Sequence, residues 1–195
     1  YTAIDGYSRL RFCEVYDECS PAASVDFVAR VLACFPFRIR CLQTDHGAEF
    51  TWAFWPEVKA IHPFDRACQR HRIVHKLIPI ATPHHNGQVE NSHGKDVVEC
   101  YRRFPVHRPP ELVALIHRRN QIWNFERPHQ ALGLRPPVEY LQLLPQYRHA
   151  TPDLQAAYRL PHRYGPERPL FAKAACYRGL YGWKLAQREC EKSVT

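Results

Sequence analysis

The sequence contains no methionine, no Cys-x-x-Cys pair and no apolar run long enough to span a membrane. Nor does it open on the basic, apolar and small-residue pattern of a secretory leader. No membrane partner is therefore expected, and a regular metal-finger or disulfide framework is excluded. The eight cysteines (13, 19, 34, 41, 68, 100, 176 and 190) follow no regular spacing, and reduced thiols are expected. Cys68, His71 and His75 invite a zinc reading, but no fourth ligand stands at finger spacing. His75 reads better as opening a strand. Because methionine is missing even at position 1, and Tyr1-Thr2-Ala3-Ile4 looks like mid-strand sequence, the expectation is a fragment whose true N-terminus lies upstream.

What is present describes a globular chain with a basic bias. Of 195 residues, 45% are hydrophobic and 24% charged, enough for one well-buried domain with a tail. The net charge of +8 points to a polyanionic partner, nucleic acid before a membrane surface. Residues 1–145 carry 18 basic and 15 acidic side chains, whereas residues 146–195 carry 9 and 4. The expected organisation is a catalytic-core-like unit over 1–145 and a basic C-terminal tail over 146–195. In that tail Tyr158, Tyr164, Phe171, Tyr177, Tyr181 and Trp183 alternate with Arg and Lys, a mixture that can stack bases and neutralise phosphates, beside the plainer reading of an unfolded or frameshifted extension.

Periodicity predicts a mixed α/β plan. Residues 1–5 and 10–16 flank the turn-like Asp5-Gly6-Tyr7-Ser8 and read as a hairpin. Ser20-Pro21 supplies an N-cap and a first-turn proline, and Val25, Val28, Leu32 and Phe35 continue a helix over 21–35. Short strands are expected over 39–44 and 74–78, with a helix near 63–72. The segment 79–87 is too rich in turn residues to be regular. A helix from Gln88 to about Arg103 is expected to bury Val89, His93, Val97, Cys100 and Phe104, although Gly94 inside it costs about 1 kcal/mol against alanine. A last helix near 110–125 carries Leu112, Leu115, Ile116, Ile122 and Trp123.

Two carboxylates occupy positions that chemistry uses. Asp45 is expected at the C-terminal end of a strand, where open sheets present ligand groups. Glu90 is expected in the first turn of a helix. A strand end and a helix start can aim two carboxylates at one point, and hard cations such as Mg²⁺ take oxygen ligands. Plainer readings stand beside these: Asp45 as a turn residue before Gly47, and Glu90 as an acid well placed near a helix N-terminus.

Gln43-Thr44-Asp45-His46-Gly47-Ala48-Glu49-Phe50 resembles the TDNGxEF segment of the integrase core shared by retroviral integrases and insertion-sequence transposases. Thr82-Pro83-His84-His85-Asn86-Gly87-Gln88-Val89-Glu90 resembles the TPxxNGxxE segment of that family. Asn124-Phe125-Glu126-Arg127-Pro128-His129-Gln130-Ala131-Leu132-Gly133 is similar to the YNxxRPHQALG segment that closes the domain in many bacterial transposases. The resemblance implies a ribonuclease-H-like fold, a mixed sheet flanked by helices, with Asp45 and Glu90 as second and third members of a DDE triad. It implies Mg²⁺ or Mn²⁺ as cofactor and DNA, both transposon ends and target, as partner. It further implies a homo-oligomer when full length and a bacterial cytoplasmic, nucleoid-associated location.

The implied chemistry is metal-dependent phosphodiester hydrolysis followed by strand transfer, incomplete in this fragment. The alternative is a non-catalytic remnant that at most binds DNA. Asp5 tempts as the first triad member, but its surroundings resemble the family's second strand, and only 39 residues separate it from Asp45. The first acid is expected upstream, on a central strand missing here. His46, Gln88, Asn91 and Gly94 depart from residues common in the family, and 44 residues separate Asp45 from Glu90. His84, His85 and Lys95 are the candidate phosphate contacts.

Overall fold

A computed structural model of the protein describes residues 1–55, 57–79 and 87–161. The hairpin expected at the start is present: strand β1 (Thr2–Ile4) pairs antiparallel with β2 (Arg11–Cys13), Ala3 opposite Phe12. Its turn is held by Asp5, whose Oδ2 accepts from both Ser8 N and Ser8 Oγ at 2.7 Å. Helix α1 (Pro21–Cys34) begins where Ser20 accepts from Ala23 N at 3.1 Å, with Pro21 at the first helical position. Strand β3 (Cys41–Thr44), helix α2 (Pro63–Arg70) and strand β4 (Val74–Leu77) follow, and β3 and β4 pair in parallel. Helices α3 (Gly87–Asp96), α4 (Pro109–Gln121), α5 (Pro137–Gln142) and α6 (Leu154–Arg159) complete the elements. Single π-helical turns extend α3 over Val97–Tyr101 and α4 over Ile122–Glu126.

Among the described residues the strands form two separate pairs, β1–β2 and β3–β4, not one continuous sheet. One core serves both. Leu10 and Phe12 from the hairpin, Phe27, Val28 and Val31 from α1, and Ile39, Phe64 and Ile73 around the second pair are buried together. Leu154 and Ala157, beyond residue 145, lie in this same core, where α6 packs on α1. Arg30, fully buried, ties the two helices by donating to Ala157 O at 2.8 Å while pairing with Asp26 at 2.7 Å. Burying an arginine demands such partners, because an unpaired interior charge is strongly unfavourable.

The free edge of β2 is closed in an unusual way. Arg11 N donates to Asn124 Oδ1 at 2.8 Å, and Asn124 Nδ2 donates to Arg11 O at 2.7 Å. Asn120 repeats the pattern one helical turn away, on Cys13 N and O at 3.0 and 2.7 Å. Both asparagines are fully buried. Their amides copy the donor–acceptor pair of a neighbouring strand, so the edge is satisfied without one.

The buried stripe of α3 differs from the expected one. Ser92, Asp96 and Cys100 are buried, while Phe104 is 56% exposed. The stripe is rotated by about one residue because Asp96 is drawn inward by two arginines, Arg11 and Arg119.

Candidate active site

Asp45 directly follows β3, as its sequence position suggested, and its side chain is exposed. Its Oδ1 accepts from Gly47 N at 3.1 Å, which fixes the tight turn. The strand end behind it is anchored sideways. Thr44 Oγ1 lies 2.8 Å from His75 Nε2 on β4, and His75 Nδ1 lies 2.6 Å from Asp65 Oδ1 on α2. The Thr44 hydroxyl donates to the Asp45 carbonyl at 2.9 Å. A side-chain chain thus runs from α2 through β4 to the residue beside Asp45.

Glu90 stands in the first turn of α3, exposed, and makes no ion pair among the described residues. Its helix is held firmly from below. His93, one turn on, places Nε2 3.0 Å from Thr2 Oγ1 on β1. Burial, reinforced by the Arg11 charge, pushes His93 down to about 4, so the ring is neutral near pH 7. Asp96 takes both terminal nitrogens of Arg11 and accepts from Arg119 Nε at 2.9 Å. Glu99 binds Arg119 at 2.7 Å and Arg127 at 2.6 Å, and hydrogen bonding from Arg127 leads in pulling its carboxyl down to about 2. Arg11 is raised above its usual range despite its burial, because Asp96 favours the charged form.

Six of the acids are committed to ion pairs or histidines. Asp26, Asp65, Asp96, Glu14, Glu99 and Glu111 each face a cation or histidine. Asp45 and Glu90 face none, and each sits at the start or end of a regular element. Among the described residues no three His, Cys, Asp or Glu side chains gather as a metal cage. The hard oxygen donors of Asp45 and Glu90 suit Mg²⁺ or Mn²⁺, but they supply two ligand groups, and a third is not among these residues.

The other sequence candidates divide. Lys95 lies on α3 about 140° around the helix from Glu90, given 100° per residue, and its Nζ sits 5.9 Å from the Trp123 ring centre. His84 and His85 lie outside the described residues, as do Tyr164, Phe171, Tyr177, Tyr181 and Trp183 of the basic tail. Tyr158 is committed to the fold: it stacks on His117 with ring centres 3.6 Å apart and accepts from Asn120 Nδ2 at 2.9 Å. Asp5 serves its turn. The tempting zinc ligands do not combine, since His71 is exposed and burial pushes the Cys68 thiol up to about 11, away from the thiolate a metal needs.

The sequence reading missed Asp96, Asn120 and Asn124 as the residues that hold the frame. The available signal was two asparagines four apart in a helix, flanked by buried Ile116 and Trp123. Asparagine is a poor interior helix residue, so a buried pair at that spacing implies specific partners.

The family model described as an integrase core domain matches residues 71–137, a span that holds Glu90, Asn120, Asn124 and Arg127 but not Asp45. The fold is similar to the catalytic core domain of BIV integrase, with a TM-score of 0.54 and 20% identity over 73% of this chain and 84% of that one. No curated protein matches the chain. The fold is therefore that of an integrase catalytic core, ribonuclease-H-like mixed α/β, and residues 71–137 are similar to an integrase core domain.

Proposed function

We propose that this protein cuts and joins DNA phosphodiesters, with Asp45 and Glu90 as two of the carboxylates that hold divalent metal. The observation that carries this reading is their placement: both are exposed, Asp45 directly after β3 and Glu90 in the first turn of α3, on elements tied down by part-buried hydrogen bonds. The match to an integrase core domain supports the DNA chemistry. When bound, Mg²⁺ or Mn²⁺ would polarise the scissile phosphate and lower the pKa of an attacking water or 3′-OH.

The chain's own residues act around that step. The Thr44–His75–Asp65 chain holds the backbone at Asp45, and the Arg11–Asp96–Arg119 network sets the angle of α3 and so the direction of Glu90. Pre-set ligands of this kind spare reorganisation during the reaction. A third carboxylate, from outside the described residues, is part of the proposal, as are DNA ends and target as substrates and a multimeric active form.

The experiment is a strand-transfer assay with the full-length protein and labelled DNA ends in Mg²⁺ or Mn²⁺. Asp45→Asn and Glu90→Gln should each abolish joined product while leaving the protein folded. Product from either variant would remove that residue from the chemistry.

One observation favours a second reading, that the chain binds DNA without cutting it: no metal cage of three ligands exists among the described residues. That reading expects DNA binding in the same assay with no metal-dependent product from the unaltered protein.

A further inference from the structure

Strand β4 is paired along one edge and open along the other. Val74 N donates to Arg40 O and Ile78 N to Thr44 O, both at 2.9 Å, so Val74, Lys76 and Ile78 turn their backbone groups towards β3. The alternation of a strand then turns the N–H and C=O of His75 and Leu77 to the far edge. There β4 has no second neighbouring strand, and these four backbone groups find no hydrogen-bond partner among the described residues. An edge left open in this way is a template for an added strand.

A second, independent feature marks the same place. A cavity of about 520 Å³ opens between the start of β4, helix α2 and the segment 51–62, room enough for a large side chain. Trp52, Val58, Ile61, Cys68 and Ile73 give it apolar walls, and Asp65, held by His75, stands in it. Val74, 57% exposed, and Ile61, 51% exposed, carry the apolar surface out to the rim. Charge selects among occupants. Arg70, Arg72 and Lys76 are exposed and make no ion pair among the described residues. Two copies pairing edge to edge would set the Arg72 and Lys76 of one against those of the other. A nucleic-acid strand would answer the charges but not the edge, whose donors and acceptors alternate at the spacing of a peptide backbone. An acidic peptide answers both.

We propose that the open edge of β4 and the cavity beside it dock an extended acidic peptide of a partner protein, which adds a strand to β4. The side chain of His75 turns to α2, where it meets Asp65, while Val74 and Lys76 stand on the other, exposed face. Residues of the incoming strand alternate in the same way. Those on the α2 face are apolar and one of them fills the cavity; those on the other face are acidic and meet Lys76, with Arg70 and Arg72 nearby. Nothing in this depends on Asp45 or Glu90 holding a metal.

The test uses the whole chain, with a short labelled peptide alternating valine and glutamate, its valine–lysine counterpart and a DNA duplex as separate probes. The glutamate peptide should bind saturably and the lysine peptide should not. Arg72→Glu and Lys76→Glu should each weaken the glutamate peptide several-fold, whereas Arg118→Glu, at an exposed position on α4, should leave it unchanged. Hydrogen exchange reads the geometry. Bound peptide should slow the amides of His75 and Leu77 and leave those of Val74, Lys76 and Ile78, already turned to β3, little changed. Leu77→Pro removes one outward N–H and no bond to β3, so it should cut binding; where proline disturbs the strand itself, the exchange pattern of the parent decides. No saturable binding of the glutamate peptide, equal binding of the lysine peptide, equal weakening by Arg118→Glu, or protection that does not alternate overturns the proposal. Protection of His75 and Leu77 by the duplex, or by raising the protein concentration without peptide, would also overturn it, giving the edge to nucleic acid or to a second copy.

Discussion

Asn124 reaches across from the end of α4 to Arg11 on β2, and its single side-chain amide satisfies both backbone hydrogen-bonding groups of that residue, at 2.8 and 2.7 Å. With Asn120 on Cys13 it makes a two-step ladder out of a helix face. The result joins the hairpin to α4 and places Arg11 where Asp96 can receive it, so the frame beneath Glu90 begins at this contact.

Replacing Asn124 by Ala should therefore be expensive. It strands the N–H and C=O of a fully buried residue, at about 1–3 kcal/mol for each unsatisfied group, and an overall loss on the order of 2–4 kcal/mol is expected. Urea unfolding of the two proteins measures it. A loss below about 0.5 kcal/mol would mean that the backbone finds other partners.

Asp96 carries the next link. Asp96→Asn leaves two buried arginines, Arg11 and Arg119, without their shared carboxylate, and removing one partner of a buried pair costs about 3–5 kcal/mol. Exchanging Arg11, Asp96 and Arg119 together for apolar residues should restore much of that loss. Equal destabilisation by the single and triple variants would contradict the assignment of the cost to unpaired charge.

Acid stability should fall in two stages. His93 and His129 have folded pKa values depressed to about 4, so the unfolded chain binds their protons first. Stability conferred by keeping them neutral is present above about pH 6.5, their ordinary range, and is lost as pH falls towards 4. Glu99, depressed to about 2, contributes stability present above about pH 4.3 and lost as pH falls through its folded value. Unfolding free energy followed from pH 7 to pH 2 should show both slopes. His93→Gln should reduce the upper slope to the share that His129 contributes and leave the lower one, and an unchanged upper slope would contradict the role given to that histidine.

The chain from Asp65 through His75 to Thr44 predicts a local effect. Ile78 N donates to Thr44 O at 2.9 Å at the end of the β3–β4 ladder. His75→Ala should speed hydrogen exchange at the Ile78 amide by up to about tenfold, the size expected for losing one net hydrogen bond. Exchange near Val74, at the other end of the ladder, should change little. Uniform acceleration along both strands would show that His75 supports the whole sheet and not the strand end.

Much of this architecture was legible in the residues. Ser20-Pro21 announces α1 because capping and proline geometry are local, and Asp45 and Glu90 stand at a strand end and a helix start as their motifs imply. The α3 stripe was not legible. Periodicity reads apolar faces, and Asp96 is buried only because Arg11, 85 residues away in the chain, meets it. Asn120 and Asn124 escaped for the same reason: their partners are backbone groups of a distant strand. Sequence spacing locates elements; long-range polar pairing has to be seen in three dimensions.

The central claim is that Asp45 and Glu90 share a cation, and Mn²⁺ titration of the full-length protein followed by electron paramagnetic resonance tests it without requiring turnover. Asp45→Asn and Glu90→Gln should each weaken the same Mn²⁺ site, and the double variant should lose little more than either alone. Undiminished Mn²⁺ binding in both single variants, or loss of two distinct sites that add in the double, would contradict the account.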